Sequence, residues 1–255
     1  MAIFVAGDGI GKWQPGLLAQ GPFSGLQGGA VAGLLVGEIE ALAADNSWGE
    51  ALSATAWFLR PTPLVPLRTE VRIIQKGRRL SVVDNTLWAE GTEVPCATVR
   101  VTLVQPHPID IPSLAQVQES PTDPDSYPRV HRPAPHGGPW FMEAMEARQG
   151  DGVWWFKLRD EVVVGAGPLA RIMGPADWAH GLTRPVSLGI ADPNPNLTVQ
   201  LLRPPEGEWV GVEPQTRWRP EHGSGMGGGL LRDAGGVIGM VSMSVALTPM
   251  PAVGA

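Results

Sequence analysis

The sequence predicts an α+β fold of two similar units in tandem, each a curved antiparallel sheet wrapped around one central helix. Three observations lead there. The stretch "QPHPIDIPSLAQVQESPTDPDSYPRVHRPAPHGGP" at 105–139 lacks both backbone donors and hydrophobic period, and it divides the chain into flanks of similar length. "FLRPTP" at 58–63 and "LLRPPE" at 201–206 each close an apolar strand and open a long hairpin. Pro61 lies 30 positions before the turn glycine Gly91, Pro204 lies 31 before Gly235, and an alternating strand follows each glycine. Shared motif, spacing and final strand make the halves two copies of one unit. The expected boundaries are 1–107 for the first unit, 108–136 for the linker and 137–255 for the second.

Taken in order, the leading segment to Pro22 forms a hairpin, and "QGGAVAGLLVGEIEALAA" at 27–44 forms the first helix. Val31, Leu34, Leu35, Ile39 and Leu42 recur there at helical spacing. Gly29, Gly33, Gly37 and Ala41 make a stripe of small residues. Each interior glycine costs a helix about 1 kcal/mol relative to alanine, so the stripe marks a backbone approached closely, by the curled sheet on this reading. Strands follow near 52–59, 69–75, 80–90 and 95–104, with period-two alternation clearest in "TEVRI" and "ATVRVTL". In the second half, "PADWAHGLTRP" at 175–185 reads as a mostly apolar turn of helix with Asp177 and His180 facing one way. "GSGMGGG" at 223–229 reads as a flexible hairpin connection. Val237, Val241, Met243, Val245 and Leu247 form the last strand.

Composition narrows the function. A net charge of −6 with scattered basic residues offers no positive stripe for nucleic acid. No apolar run approaches the ~20 residues of a membrane span, and the N-terminus lacks the basic segment of a secretory signal. Cys96 stands alone, which excludes an internal disulfide and fits a reducing compartment; a cytoplasmic location is expected. One cysteine and five dispersed histidines give no metal cluster. "GPFSG" misses the nucleophile elbow and "AGDGIGKW" misses the phosphate loop.

A helix wrapped by a long antiparallel sheet and duplicated within one chain resembles the double hotdog fold. "GLQGGAVAGLL" resembles the start of the central helix in hotdog acyl-CoA thioesterases, where a Gly-Gly pair follows a polar residue. "ADWAHGLTRP", "NPNLTVQLLRPP" and "GEWVGVEPQTRW" resemble the matching segments in the second half of the thioesterase II-like family. Two positions depart from the pattern: Met243 stands where that family has glutamine, and His180 where it has asparagine. Asn194 aligns near a threonine, and Asp177 carries over unchanged.

The resemblance implies hydrolysis of an acyl thioester, carried by coenzyme A or an acyl-carrier protein, with coenzyme A part of the substrate and no other cofactor. It needs an activated water and a stabilised carbonyl oxygen. A helix N-terminus supplies donors for the oxygen, and Gly28 and Gly29 would let a carbonyl approach those amides; the same pair also suits a tight helix start. Asp177 is the expected general base, its pKa raised by burial, although locally it also reads as a helix N-cap. His180 could hold that carboxylate ionised, orient the water or share the proton, or be an ordinary packed histidine. Asn194 completes the expected catalytic set, with Gln27, Gly28, Gly29, Asn196 and Thr198 as substrate-binding residues; "ADPNPN" is equally a turn. The glycine pair of one half should meet the aspartate of the other in one composite site. Trp140, Trp154 and Trp155 could line an acyl tunnel or pack the core, and Arg78 and Arg79 could touch coenzyme A phosphates or simply mark a charged hairpin tip. Two other functions fit: an enoyl-thioester hydratase or dehydratase using Asp177 and His180, or a non-catalytic acyl-thioester-binding protein. The chain is expected as a monomer or homodimer.

Overall fold

The computed structural model describes residues 2–109, 119–183 and 189–250. The first unit runs β1 (Phe4–Ala6), β2 (Lys12–Pro15), α1 (Gly28–Asn46), β3 (Glu50–Phe58), β4 (Leu67–Lys76), β5 (Leu80–Ala89) and β6 (Ala97–Val104). The second begins with β7 (Met145–Gly150), β8 (Val153–Leu158), α2 (Pro168–Asp177) and a short β9 (Ile190–Ala191). It continues through β10 (Asn196–Leu201), β11 (Trp209–Pro214), β12 (Arg217–Arg219), β13 (Ser224–Asp233) and β14 (Gly236–Ala246), and β15 (Thr248–Pro249) pairs back onto β9.

One sheet takes the order β1-β2-β4-β5-β6-β3-β10-β14-β13-β11-β8-β7, with β12 on β13. From the centre outward the halves correspond, β3 to β10, β6 to β14, β5 to β13 and β4 to β11. The seam is the antiparallel β3–β10 ladder, where Thr55 stands opposite Thr198 with their hydroxyl oxygens 3.3 Å apart. Alternate residues of the long strands face the helices: Val99, Val101 and Leu103 of β6, and Val241, Met243 and Val245 of β14, are all buried. β-Branched side chains suit this half-buried pleat. The core is continuous across the seam.

α1 starts where Gln27 caps it, its side-chain oxygen accepting from the Ala30 amide at 2.7 Å. Its glycine stripe does not face the sheet, as the sequence led us to expect, but α2 and the segment before it. A Cβ at Gly29 would lie 2.6 Å from the Met173 carbonyl oxygen and 2.9 Å from Gly174 Cα; one at Gly33 would meet the Ala170 carbonyl at 3.0 Å, and one at Gly37 would meet Val163 at 2.8 Å. Ala41 is exposed, so the contact ends before it. The two helices run antiparallel with almost no side-chain spacing between them.

α2 differs from the expected segment in its limits. Pro168 occupies the first helical position, where a missing N–H costs nothing, and Asp177 is the last helical residue rather than a start. Beyond it the bonding tightens to i→i+3, Trp178 N to the Pro175 carbonyl and Ala179 N to the Ala176 carbonyl, so His180 lies in a turn after the helix. The last two residues of "PADWAHGLTRP" lie outside the described residues. A second correction concerns "GSGMGGG": six of its seven residues belong to β13. Their lack of side chains reflects close approach, because a Cβ at Gly227 would sit 2.6 Å from His180 Cβ and one at Gly225 2.6 Å from the Trp218 ring.

The described part of the proline-rich stretch lies along the second unit. The Val130 amide donates to the Ala147 carbonyl and the Gln149 amide to the Pro128 carbonyl, while Arg148 donates to the carbonyls of Asp125 and Tyr127. The open edge of β7 is thereby covered, as exposed strand edges usually must be. Among the described residues no helix is long and apolar enough to cross a membrane.

Gly29→Ala should test the helix contact. Its helix propensity would improve by about 1 kcal/mol, yet overpacking against backbone should give a net loss of about 1–3 kcal/mol. Thermal unfolding at unchanged or raised Tm would show that the helices can separate to accept the methyl group.

Candidate active site

The antiparallel packing brings the end of α2 to the start of α1. Asp177 Oδ2 accepts from the Gly29 amide at 2.9 Å and from Gln27 Nε2, and its Oδ1 accepts from Asn194 Nδ2 at 2.7 Å. All three neighbours are donors, an arrangement suited to an ionised carboxylate. The carboxylate is nevertheless buried, 4% exposed. Burial pushes its pKa above the usual aspartate value, opposed by the charge of His180 and by the hydrogen bonds from Asn194 and Gly29. Asp177 thus does cap a helix, though across the pair: it serves α1, not its own.

The first three amides of α1 are used unequally. The Ala30 amide goes to Gln27 and the Gly29 amide to Asp177, while the Gly28 amide has no partner among the described residues. A Cβ at Gly28 would lie 3.0 Å from the Phe58 ring and 3.2 Å from Asp177 Oδ2. The missing side chain therefore lets Phe58 and Asp177 both pack close to this amide. Gly28 and Asn194 are both half-buried, so this corner of the site is the one nearest solvent.

Other expected residues are engaged elsewhere. Gln27 is buried, with its oxygen on Ala30 and its nitrogen on Asp177, so it orients the carboxylate. Asn196 accepts from the Ser244 amide through its side chain, and its carbonyl accepts from Asn194 Nδ2 at 3.2 Å, which fixes the Asn194 amide toward Asp177. Thr198 lies on the seam with Thr55. His180 is buried with its Cβ close to Gly227, and among the described residues it has no hydrogen bond to Asp177; its Nε2 is 3.7 Å from Asp192 Oδ2. Asp192 escaped the sequence reading because it looked like part of a turn. Its alternation with Asn194 along an extended segment, which aims both side chains one way, was the available signal.

Trp140 packs edge-on against Trp178 at 5.3 Å and 87°, and Trp154 lies under Arg132. Trp155 belongs to a separate cluster with Val153 and Trp209. Arg78 and Arg79 stand exposed at the β4–β5 turn.

The start of α2 repeats the arrangement. Glu40 of α1 accepts from the amides of Leu169 and Ala170, both at 2.9 Å. Gly167 leaves room for it, since a Cβ there would fall 2.5 Å from the Glu40 carboxyl carbon. Among the described residues one surface groove lies at this helix start beside Gly167, Pro168 and Arg171 and another beside Arg129, Arg132 and Met142; neither is bordered by Asp177. Where α1 offers the free Gly28 amide, α2 has Pro168, which carries no N–H. Only one of the two helix starts can donate to a carbonyl oxygen from that position.

Sheet order, central helices and internal duplication define this chain as a double hotdog protein. Within its first unit, residues 20–104 match the acyl-CoA thioesterase N-terminal domain family. Among solved structures, a protein provisionally named thioesterase II from Thermobifida fusca YX is 18% identical, with 97% of this chain and 96% of that one covered and a TM-score of 0.71. One provisionally named a thioesterase, from Novosphingobium aromaticivorans DSM 12444, is 17% identical over 97% and 99% of the chains, also at TM-score 0.71. A conserved hot dog protein of unknown function from Alicyclobacillus acidocaldarius is 16% identical over 96% of each chain, with a TM-score of 0.69. At such identities the likeness is one of fold. No curated protein matches the chain in sequence.

Burial raises the Glu40 pKa to about 7, against hydrogen bonds from the Ala170 and Leu169 amides that lower it. A carboxyl raised on folding adds stability that is full below its unfolded value, 4.5, and is lost as pH climbs through about 7. Between pH 5 and pH 8 the protein should lose on the order of 2 kcal/mol relative to Glu40→Gln. Chemical denaturation of both proteins at the two pH values measures this difference; parallel pH dependence would refute it.

Proposed function

We propose that this protein hydrolyses acyl thioesters, carried by coenzyme A or an acyl-carrier protein, at the junction of α2 with the start of α1. The observation that carries the reading is the placement of a buried carboxylate beside the start of α1, where the Gly28 amide has no partner among the described residues and glycine lets Phe58 and Asp177 approach closely. The thioesterase family match over the segment holding Gln27, Gly28 and Gly29 supports it.

Asp177 Oδ2 is filled by two donors, whereas Oδ1 has one. Oδ1 is therefore the atom with a lone pair left to take a proton from water. Asn194, fixed by the Asn196 carbonyl, holds that oxygen in place. The pKa shift makes Asp177 a stronger base than a solvent-exposed aspartate. As water adds to the carbonyl carbon, the Gly28 N–H donates to the oxygen that gains charge; one such donor lowers a barrier by about 3 kcal/mol. The reaction needs no resident cofactor. We place it in the cytoplasm, in a chain acting as a monomer or homodimer.

Asp177→Asn should reduce thiol release from acyl-CoA by about 10²–10⁴-fold. In the wild type, kcat/KM should rise with pH along an acid limb centred above 3.8, the ordinary aspartate value, and that limb should disappear in the variant. Full activity in Asp177→Asn defeats the reading. Conversion of enoyl thioester to hydroxyacyl thioester without thiol release would instead indicate a hydratase using Asp177 and His180, and binding with neither product a non-catalytic acyl-thioester-binding protein. Gly28→Ala keeps the amide N–H but places a methyl group against Phe58 and should lower kcat/KM by about 10²-fold; unchanged turnover in a folded variant would show that the substrate carbonyl does not approach this amide.

A further inference from the structure

His180 and Asp192 are buried, 8% and 1% exposed, and folds seldom bury ionisable groups without compensation. His180 Nε2 stands at ion-pair distance from Asp192 Oδ2, 3.7 Å. Its other ring nitrogen, Nδ1, is buried with no hydrogen-bond partner among the described residues, a condition that folds rarely leave without a reason. The side chain leaves the backbone against Gly227, where any added Cβ would lie 2.6 Å from the His180 Cβ. It is also near enough to Asp177 for its charge to act on that carboxylate. The extended segment between β9 and β10 supports both residues: Asn194 donates to Asp177 while Asp192, two residues earlier, faces His180.

We propose that His180 is the acid that protonates the departing thiol sulfur, and that Asp192 is the positioning residue that presents it. The inference rests on the hydrolase reading above. Water addition leaves its proton on Asp177 and a tetrahedral carbon bearing an oxyanion. The oxyanion lone pair re-forms the C=O bond, the C–S bond breaks with its electron pair moving to sulfur, and the Nδ1 proton of the His180 imidazolium joins the sulfur. The products are a carboxylic acid and a thiol, and the proton held by Asp177 returns to His180 through solvent as they leave. Asp192 fixes Nε2 as the nitrogen it faces and stabilises the imidazolium, leaving Nδ1 for the sulfur.

The test uses two thioesters of one acyl group, the coenzyme A ester and an aryl thioester whose stable thiolate leaves without a proton. On the coenzyme A ester, His180→Gln and Asp192→Asn should each lower kcat by about 10²-fold or more, and the double variant should fall no further than His180→Gln. On the aryl thioester the losses should be at least about tenfold smaller, so that its turnover also reports a folded site. His180→Asn serves if His180→Gln does not fold. Equal losses on both esters, or none on either, overturn the proposal while leaving Asp177 as the base. Absence of thiol release by the wild type from both esters overturns the hydrolase reading itself.

Discussion

Each of the two central helices offers a carboxylate to the first turn of the other. Asp177 receives the Gly29 amide and Glu40 receives those of Leu169 and Ala170. Such an exchange requires antiparallel helices in backbone contact, which Gly29, Gly33 and Gly37 permit. It satisfies helix-start amides that a buried terminus must otherwise leave unpaired and opposes negative charge to the positive end of each helix dipole. Remove the stripe and the carboxylates lose their partners; remove the carboxylates and two helix starts are buried unpaired. The position of the candidate base is thus a by-product of how the helices are held together.

The same contact creates the chemical tension at the site. A carboxylate that only capped a helix would gain most from all its donors and a low pKa, whereas a base needs a free lone pair and a raised one. The oxygens of Asp177 are divided, one held by Gln27 and Gly29 and the other by Asn194 alone, so the proposed role does not conflict with the cap. Glu40 spends both oxygens on amides because Gly167, unlike Gln27, has no side chain to serve as a cap.

Most of the architecture could be read from the residues because it depends on period and spacing. Alternation in "ATVRVTL" placed β6, helical spacing of Val31 to Leu42 placed α1, and the repeated Arg-Pro motifs exposed the duplication. What escaped depended on contacts between distant segments. The glycines of α1 and β13 both mark close approach, but nothing local says whether a helix, a ring or a side chain approaches. The end of α2 was missed because i→i+3 turns keep the apolar spacing of a helix, so "PADWAHGL" reads as one. The unequal use of the Gly28 and Gly29 amides, and the pairing of Asp192 with His180, follow from tertiary geometry alone.

The β3–β10 ladder that joins the halves has a genetic consequence. In an assembly of two identical polypeptides, any substitution appears at both symmetry-related places, so a change that improves one centre is imposed on its twin. Covalent fusion lifts that restriction. Here the two helix starts differ, with glycine at the head of α1 and proline at the head of α2, an asymmetry that two identical polypeptides could not hold.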